Sequence, residues 1–192
     1  MNKKIELEKL NQKIRSCKKC SLWKTRINTV SGKGPDNVKI MIISEAPGRE
    51  EDLRGLPFVG RAGKLLDKLL TFAGLNREAI YITNVIKCRP PKNRKPKKEE
   101  IEACLPYLRK QIEIINPQKF ILLGEVAFSI FFPKEKLRNF RGKGVQKEGK
   151  EYFITYHPAA GLRFPKIRKI LERDFKKLKT TFLPSKRLAK FL

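Results

Sequence analysis

Val38-Lys39-Ile40-Met41-Ile42-Ile43 runs directly into Ser44-Glu45-Ala46-Pro47-Gly48. A short, almost unbroken apolar run that stops at Pro and Gly reads as a strand buried on both faces, as parallel sheets require. Three more runs of this kind follow at wide intervals, at residues 80–85, 120–123 and 152–155. Around them lie segments with apolar residues at three- and four-residue spacing, which predict helices over 3–15, 62–72, 98–115, 125–131 and 166–178. Strand and helix in alternation predict an α/β fold with helices on both faces of a parallel sheet. Such sheets bind ligands just beyond the C-terminal ends of their strands. Two strings stand at that position: Ser44 to Gly48, and Tyr156-His157-Pro158-Ala159-Ala160, whose His157 is the single histidine of the chain.

A length of 192 residues with 40% hydrophobic content suits one domain, expected over 1–182, followed by a basic tail over 183–192. Lys and Arg number 45 against 19 acidic residues, a net charge of +26, so the surface should attract polyanions. No apolar run approaches the length of a bilayer span, and Met1-Asn2-Lys3-Lys4 leads into a charged amphipathic pattern instead of a signal peptide. The expectation is a soluble, intracellular, nucleoid-associated monomer, and the lysine-rich composition suggests a hot environment. Residues 87–98 hold seven basic residues and three prolines and should form an exposed loop. In the tail, Leu188, Phe191 and Leu192 have the spacing of sliding-clamp-binding peptides, with Ser185 where those carry glutamine. A short amphipathic tail docked on its own domain is the simpler alternative.

Four cysteines are present, Cys17 and Cys20 as C-x2-C, then Cys88 after 67 residues and Cys104 after 15 more. In an intracellular chain, four thiolates converging on a metal or cluster explain this set better than disulfides do. Tetrahedral zinc and an iron-sulfur cluster both accept four thiolates, and buried free thiols are the plainer possibility.

The ordered set Cys17-x2-Cys20, Glu45-Ala46-Pro47-Gly48 with Glu51-Asp52, Pro57-Phe58-Val59-Gly60, Thr83-Asn84-Val85 with Lys87-Cys88-Arg89-Pro90-Pro91, Cys104, and His157-Pro158-Ala159-Ala160 resembles the family 4, iron-sulfur uracil-DNA glycosylases. The resemblance covers nearly the whole chain apart from its ends. It implies a three-layer α/β/α fold around a four-stranded parallel sheet. It also implies a [4Fe-4S] cluster on Cys17, Cys20, Cys88 and Cys104, and hydrolysis of the uracil N-glycosidic bond in base excision repair.

Removing a base requires flipping it into a pocket, stacking it, reading its edge and stabilising the departing anion. By the resemblance, Phe58 stacks the base, although with 12 Phe in the chain a core role is the plain alternative. Asn84 would donate to uracil O4 and accept from N3–H; without the resemblance it reads as a turn or cap residue. His157 would donate to O2, and Glu45, Ala46 and Gly48 would line the base with backbone N–H groups. Glu51 would orient water or exclude the thymine methyl, because Ala46 stands where other branches place a carboxylate. Lys87, Arg89 and Arg163 are candidate phosphate contacts, their alternative being an ordinary solvated surface.

Two positions depart from the family pattern. Ser44 stands where glycine is usual, which is tolerable if φ is negative. Gly161 stands where a bulky apolar residue enters the duplex, so the wedge shifts to Leu162 or Arg163. Two other readings remain open: a superfamily member with another base preference, and a non-catalytic nucleic-acid-binding module with a structural four-cysteine metal site.

Overall fold

The computed structural model describes residues 2–182, and the tail carrying Leu188, Phe191 and Leu192 lies outside them. Four parallel strands form the centre, β1 Ile40–Ser44, β2 Ile80–Asn84, β3 Lys119–Leu123 and β5 Lys150–Thr155. β1, inserted between β2 and β3, is buried along its whole length. The unbroken apolar run of β1 is explained by the sheet having two covered faces. Met41 and Ile43 enter one core with helices α1 (Lys3–Arg15), α4 (Lys98–Ile115) and α5 (Glu125–Phe131). Ile40 and Ile42 enter the other with α3 (Arg61–Ala73) and α8 (Pro165–Phe182). The expected three-layer α/β/α architecture is therefore present.

The sheet has five strands, not the four expected, in the order β2-β1-β3-β5-β4. The extra strand, β4 (Gly144–Lys147), pairs antiparallel with β5 at the edge. Glu148 (φ 50) and Gly149 (φ 70) join the two as a hairpin turn with both central residues left-handed, the geometry that suits the twist of a two-residue hairpin. Because β4 is half exposed and polar, it gives no apolar run to read.

Short helices were also illegible: α2 (Arg49–Arg54), α6 (Leu137–Phe140) and α7 (Pro158–Arg163). Each is too short for a periodic face; α2 follows directly on the string Ser44 to Gly48, and α7 begins inside the string Tyr156 to Ala160 that comes after β5. The sheet thus delivers both strings, and Asn84 at the end of β2, to one rim. No helix among the described residues is long and apolar enough to cross a membrane.

Candidate active site

At that rim lies a cavity of about 370 Å³ walled by residues 45–48, Glu51, Phe58, Asn84, His157 and the first turns of α7. Every residue expected to touch the base therefore borders one space. Asn84 is 2% exposed, and its side-chain amide makes no hydrogen bond to another described residue. The amide faces the cavity, so its donors and acceptor are free for a ligand there.

His157 caps α7: its Nδ1 accepts the Ala159 N–H at 3.0 Å, with Pro158 at the first helical position. Because Nδ1 is an acceptor, the proton of the neutral ring is assigned to Nε2, which lies 2.7 Å from Ser44 Oγ. Burial pushes the imidazole pKa down to about 4, against an opposing pull from the Glu51 carboxylate. The ring is therefore neutral at physiological pH. Gly124 (φ 89) lies so close that a Cβ there would sit 3.2 Å from the His157 Cβ.

Phe58 stacks on His157 with ring centroids 5.7 Å apart and planes 24° from parallel. Its backbone is left-handed (φ 52), an uncommon conformation for an aromatic residue, and two devices hold it. Arg77 Nη2 donates to the carbonyls of Pro57 and Phe58 at 3.0 and 3.1 Å. Gly63 lets α3 approach so closely that an added Cβ would fall 1.9 Å from the Phe58 carbonyl oxygen. Neither Arg77 nor Gly63 was singled out by the sequence.

The Glu51 carboxylate accepts the N–H groups of Val59 and Gly60 at 2.9 Å each and that of Gly48 at 3.2 Å. It ties the loop after β1 to the loop carrying Phe58. Gly48 lines the cavity, but its N–H serves Glu51, which corrects the expectation that it would bind the base. Burial raises the Glu45 pKa while Lys95 opposes the rise, and Ala46 lies on the cavity wall.

The basic segment divides. Lys87 is 1% exposed, and its Nζ donates to Thr83 Oγ1, the Asn84 carbonyl and Gln111 Oε1 at 2.6 to 2.7 Å. It cannot meet a phosphate, so that expectation is overturned: the side chain runs inward along β2 and braces Asn84 from behind. The segment is thus only partly the exposed loop predicted. Arg89 Nε donates to Asn93 at 2.7 Å, and Asn93, left-handed like Lys92, borders the cavity. Arg94, also on the wall, makes a bidentate pair with buried Glu100.

On the α7 side, Gly161 is buried, and a Cβ there would lie 2.7 Å from Leu171. Exposure falls instead on Leu162 (37%) and Phe164 (58%), and Phe164 lines the cavity mouth beside Arg163. The sequence reading passed over Phe164.

Cys17, Cys20, Cys88 and Cys104 line a separate recess, and none is disulfide-bonded. Lys19 N–H points at Cys17 Sγ (3.5 Å), Arg26 at Cys88 Sγ (3.2 Å) and Lys87 N–H at Cys104 Sγ (3.2 Å). N–H groups aimed at sulfur suit thiolate ligands. Burial holds the Cys88 pKa above the usual thiol value and pushes Cys104 to about 11, so a bound metal would have to offset that cost to keep them ionised. Among the described residues no three ligating side chains are drawn tightly enough to hold a single metal ion.

Comparison with known proteins places the chain in a family. A profile of the Uracil DNA glycosylase superfamily matches residues 31–179. The type-4 uracil-DNA glycosylase of Sulfurisphaera tokodaii is 47% identical over 191 residues, spanning 94% of this chain and 87% of the relative. That of Saccharolobus solfataricus is 49% identical over 183 residues (90% and 85%), and that of Thermotoga maritima 41% over 179 (91% and 93%). The chain belongs to the uracil-DNA glycosylase superfamily, within its type-4 group.

Proposed function

We propose that this chain hydrolyses the N-glycosidic bond between uracil and deoxyribose in DNA, leaving an abasic site, as a monofunctional glycosylase. The observation that carries the reading is the unpartnered Asn84 amide on the same cavity as His157 and Phe58.

A uracil turned out of the helix stacks on Phe58, while Asn84 donates to O4 and accepts from N3–H. Cytosine offers an amino group and a bare N3 in those places, which opposes both bonds. As the C1′–N1 bond breaks, its electron pair moves to the base and charge gathers on O2, where the His157 Nε2–H stabilises it. A neutral donor suffices, and such a group contributes about 10²- to 10³-fold in rate. Water then forms the new bond to C1′ and releases a proton that balances the charge of the uracil anion. Of roughly four acceptor directions on the Glu51 carboxylate, three are occupied, so one is free to orient that water.

Arg89 and Arg163 bind phosphates, and Leu162 with Phe164 enters the gap left by the flipped nucleotide. Cys17, Cys20, Cys88 and Cys104 hold a [4Fe-4S] cluster, which joins the end of α1, the segment after β2 and α4. Equal amounts of iron and acid-labile sulfide in purified protein, both lost in Cys88→Ser, would support this. The activity itself is tested by base release from oligonucleotides carrying one uracil, thymine, hypoxanthine or cytosine. Release of uracil alone, lost in His157→Ala, is expected; release of none despite tight DNA binding contradicts the reading.

A further inference from the structure

Ser44 ends β1 in register with Asn84 on β2, and its side chain is wholly buried. Its carbonyl accepts the Val85 N–H at 2.8 Å, so the ladder that places Asn84 also places the serine. Its hydroxyl oxygen lies 2.7 Å from His157 Nε2, and the opposite ring nitrogen is already an acceptor for Ala159 N–H. These two contacts allow only one neutral tautomer, with the proton on Nε2 and Ser44 Oγ accepting it. Turning the ring over would break both bonds and leave Ala159 N–H facing carbon.

We infer that Ser44 is a positioning residue for His157. In the free enzyme its hydroxyl accepts the Nε2–H, which fixes the ring plane and the tautomer. When the base enters, uracil O2 takes up that hydrogen bond or shares it. The inference rests on the proposed role of His157, and it explains why a polar side chain is placed at a fully buried strand end. Without the hydroxyl, the Nε2–H lacks a protein acceptor, and the ring is held at one nitrogen only. A donor displaced from its aim loses stabilisation of the leaving base more than it loses binding.

His157 is the single histidine, so protein labelled with ¹⁵N-histidine and purified without a histidine tag gives one imidazole spectrum. The wild type should show a protected Nε2–H with Nδ1 unprotonated. In Ser44→Ala that N–H should exchange rapidly with solvent, and single-turnover uracil release should fall about tenfold with KM changed less than twofold. Ser44→Thr, which keeps the hydroxyl, should restore both. If Ser44→Ala does not fold, Ser44→Cys, nearly isosteric but a weak acceptor, makes the same test. An Nε2–H as protected in the Ala or Cys variant as in the wild type would overturn the inference. So would an unchanged rate. The spectrum is read on DNA-free protein, so it decides the Ser44 contact even if His157→Ala excises uracil normally and the functional reading fails.

Discussion

His157 holds one proton on a ring whose two nitrogens face different partners, and burial keeps that ring neutral. With a folded pKa of about 4 against 6.5 in the unfolded chain, the unfolded state binds the extra proton between those values. The stability contributed by the buried neutral ring is therefore complete above pH 6.5 and is lost as pH falls towards 4. A ¹⁵N titration should show no ring protonation from pH 8 to 5, and His157→Gln should flatten the acid-side fall of Tm; a ring titrating near 6.5 would contradict this. His157 stood out as the single histidine, set before Pro at a strand end, whereas Asn84 was legible only through the family resemblance, since alone it reads as a turn or cap residue. Lys87 was misplaced because a lysine among basic neighbours gives no sign that its stem lies along a strand and its amine meets Thr83, Gln111 and a carbonyl. Gly63 was invisible for a related reason: the group that demands a glycine there, the Phe58 carbonyl, comes from another segment.

Loops between elements carry the site, and two contacts fix them. Gly63→Ala brings a methyl against a backbone carbonyl, which should destabilise the fold by about 3 kcal/mol or more and expel Phe58; urea denaturation measures the first and uracil protection of Phe58-region amides the second. Glu51→Ala removes acceptors from three N–H groups on two loops, so uracil release should slow by about 10- to 100-fold, with faster amide exchange at Val59 and Gly60. Unchanged kinetics would take Glu51 out of the site. On α7, Leu162→Ala with Phe164→Ala should slow release from duplex DNA and spare single strands, since only a duplex has a gap to fill. An equal loss on both substrates would argue against the wedge. Long helices such as α4 (Lys98–Ile115) matched the expected bounds because an 18-residue amphipathic face repeats several times. α7 did not, being a six-residue element that a capping histidine and proline start and a phenylalanine ends.

Over the whole molecule, a charge of +26 draws DNA to any face, but exposed Arg163 lines the cavity, exposed Lys95 acts on Glu45 in its wall, and exposed Lys92 and Lys166 stand close in sequence to the lining residues Asn93 and Phe164. With about four phosphate contacts, binding should weaken roughly 100-fold for a fourfold rise in salt, and Arg163→Ala should reduce the slope by about one. The parallel α/β plan was readable because both faces of the sheet are covered, so its strands are apolar throughout. The order of those strands, which brings residues 44, 84 and 157 to one rim, follows from packing and no local pattern records it. That convergence makes the uracil edge readable, and Asn84 is its sharpest point. Single-turnover release of uracil by Asn84→Ala and Asn84→Asp, beside the wild type on the same oligonucleotide, tests it most directly. The account predicts that both lose about 100-fold or more while still binding abasic DNA; wild-type rates in either would contradict it.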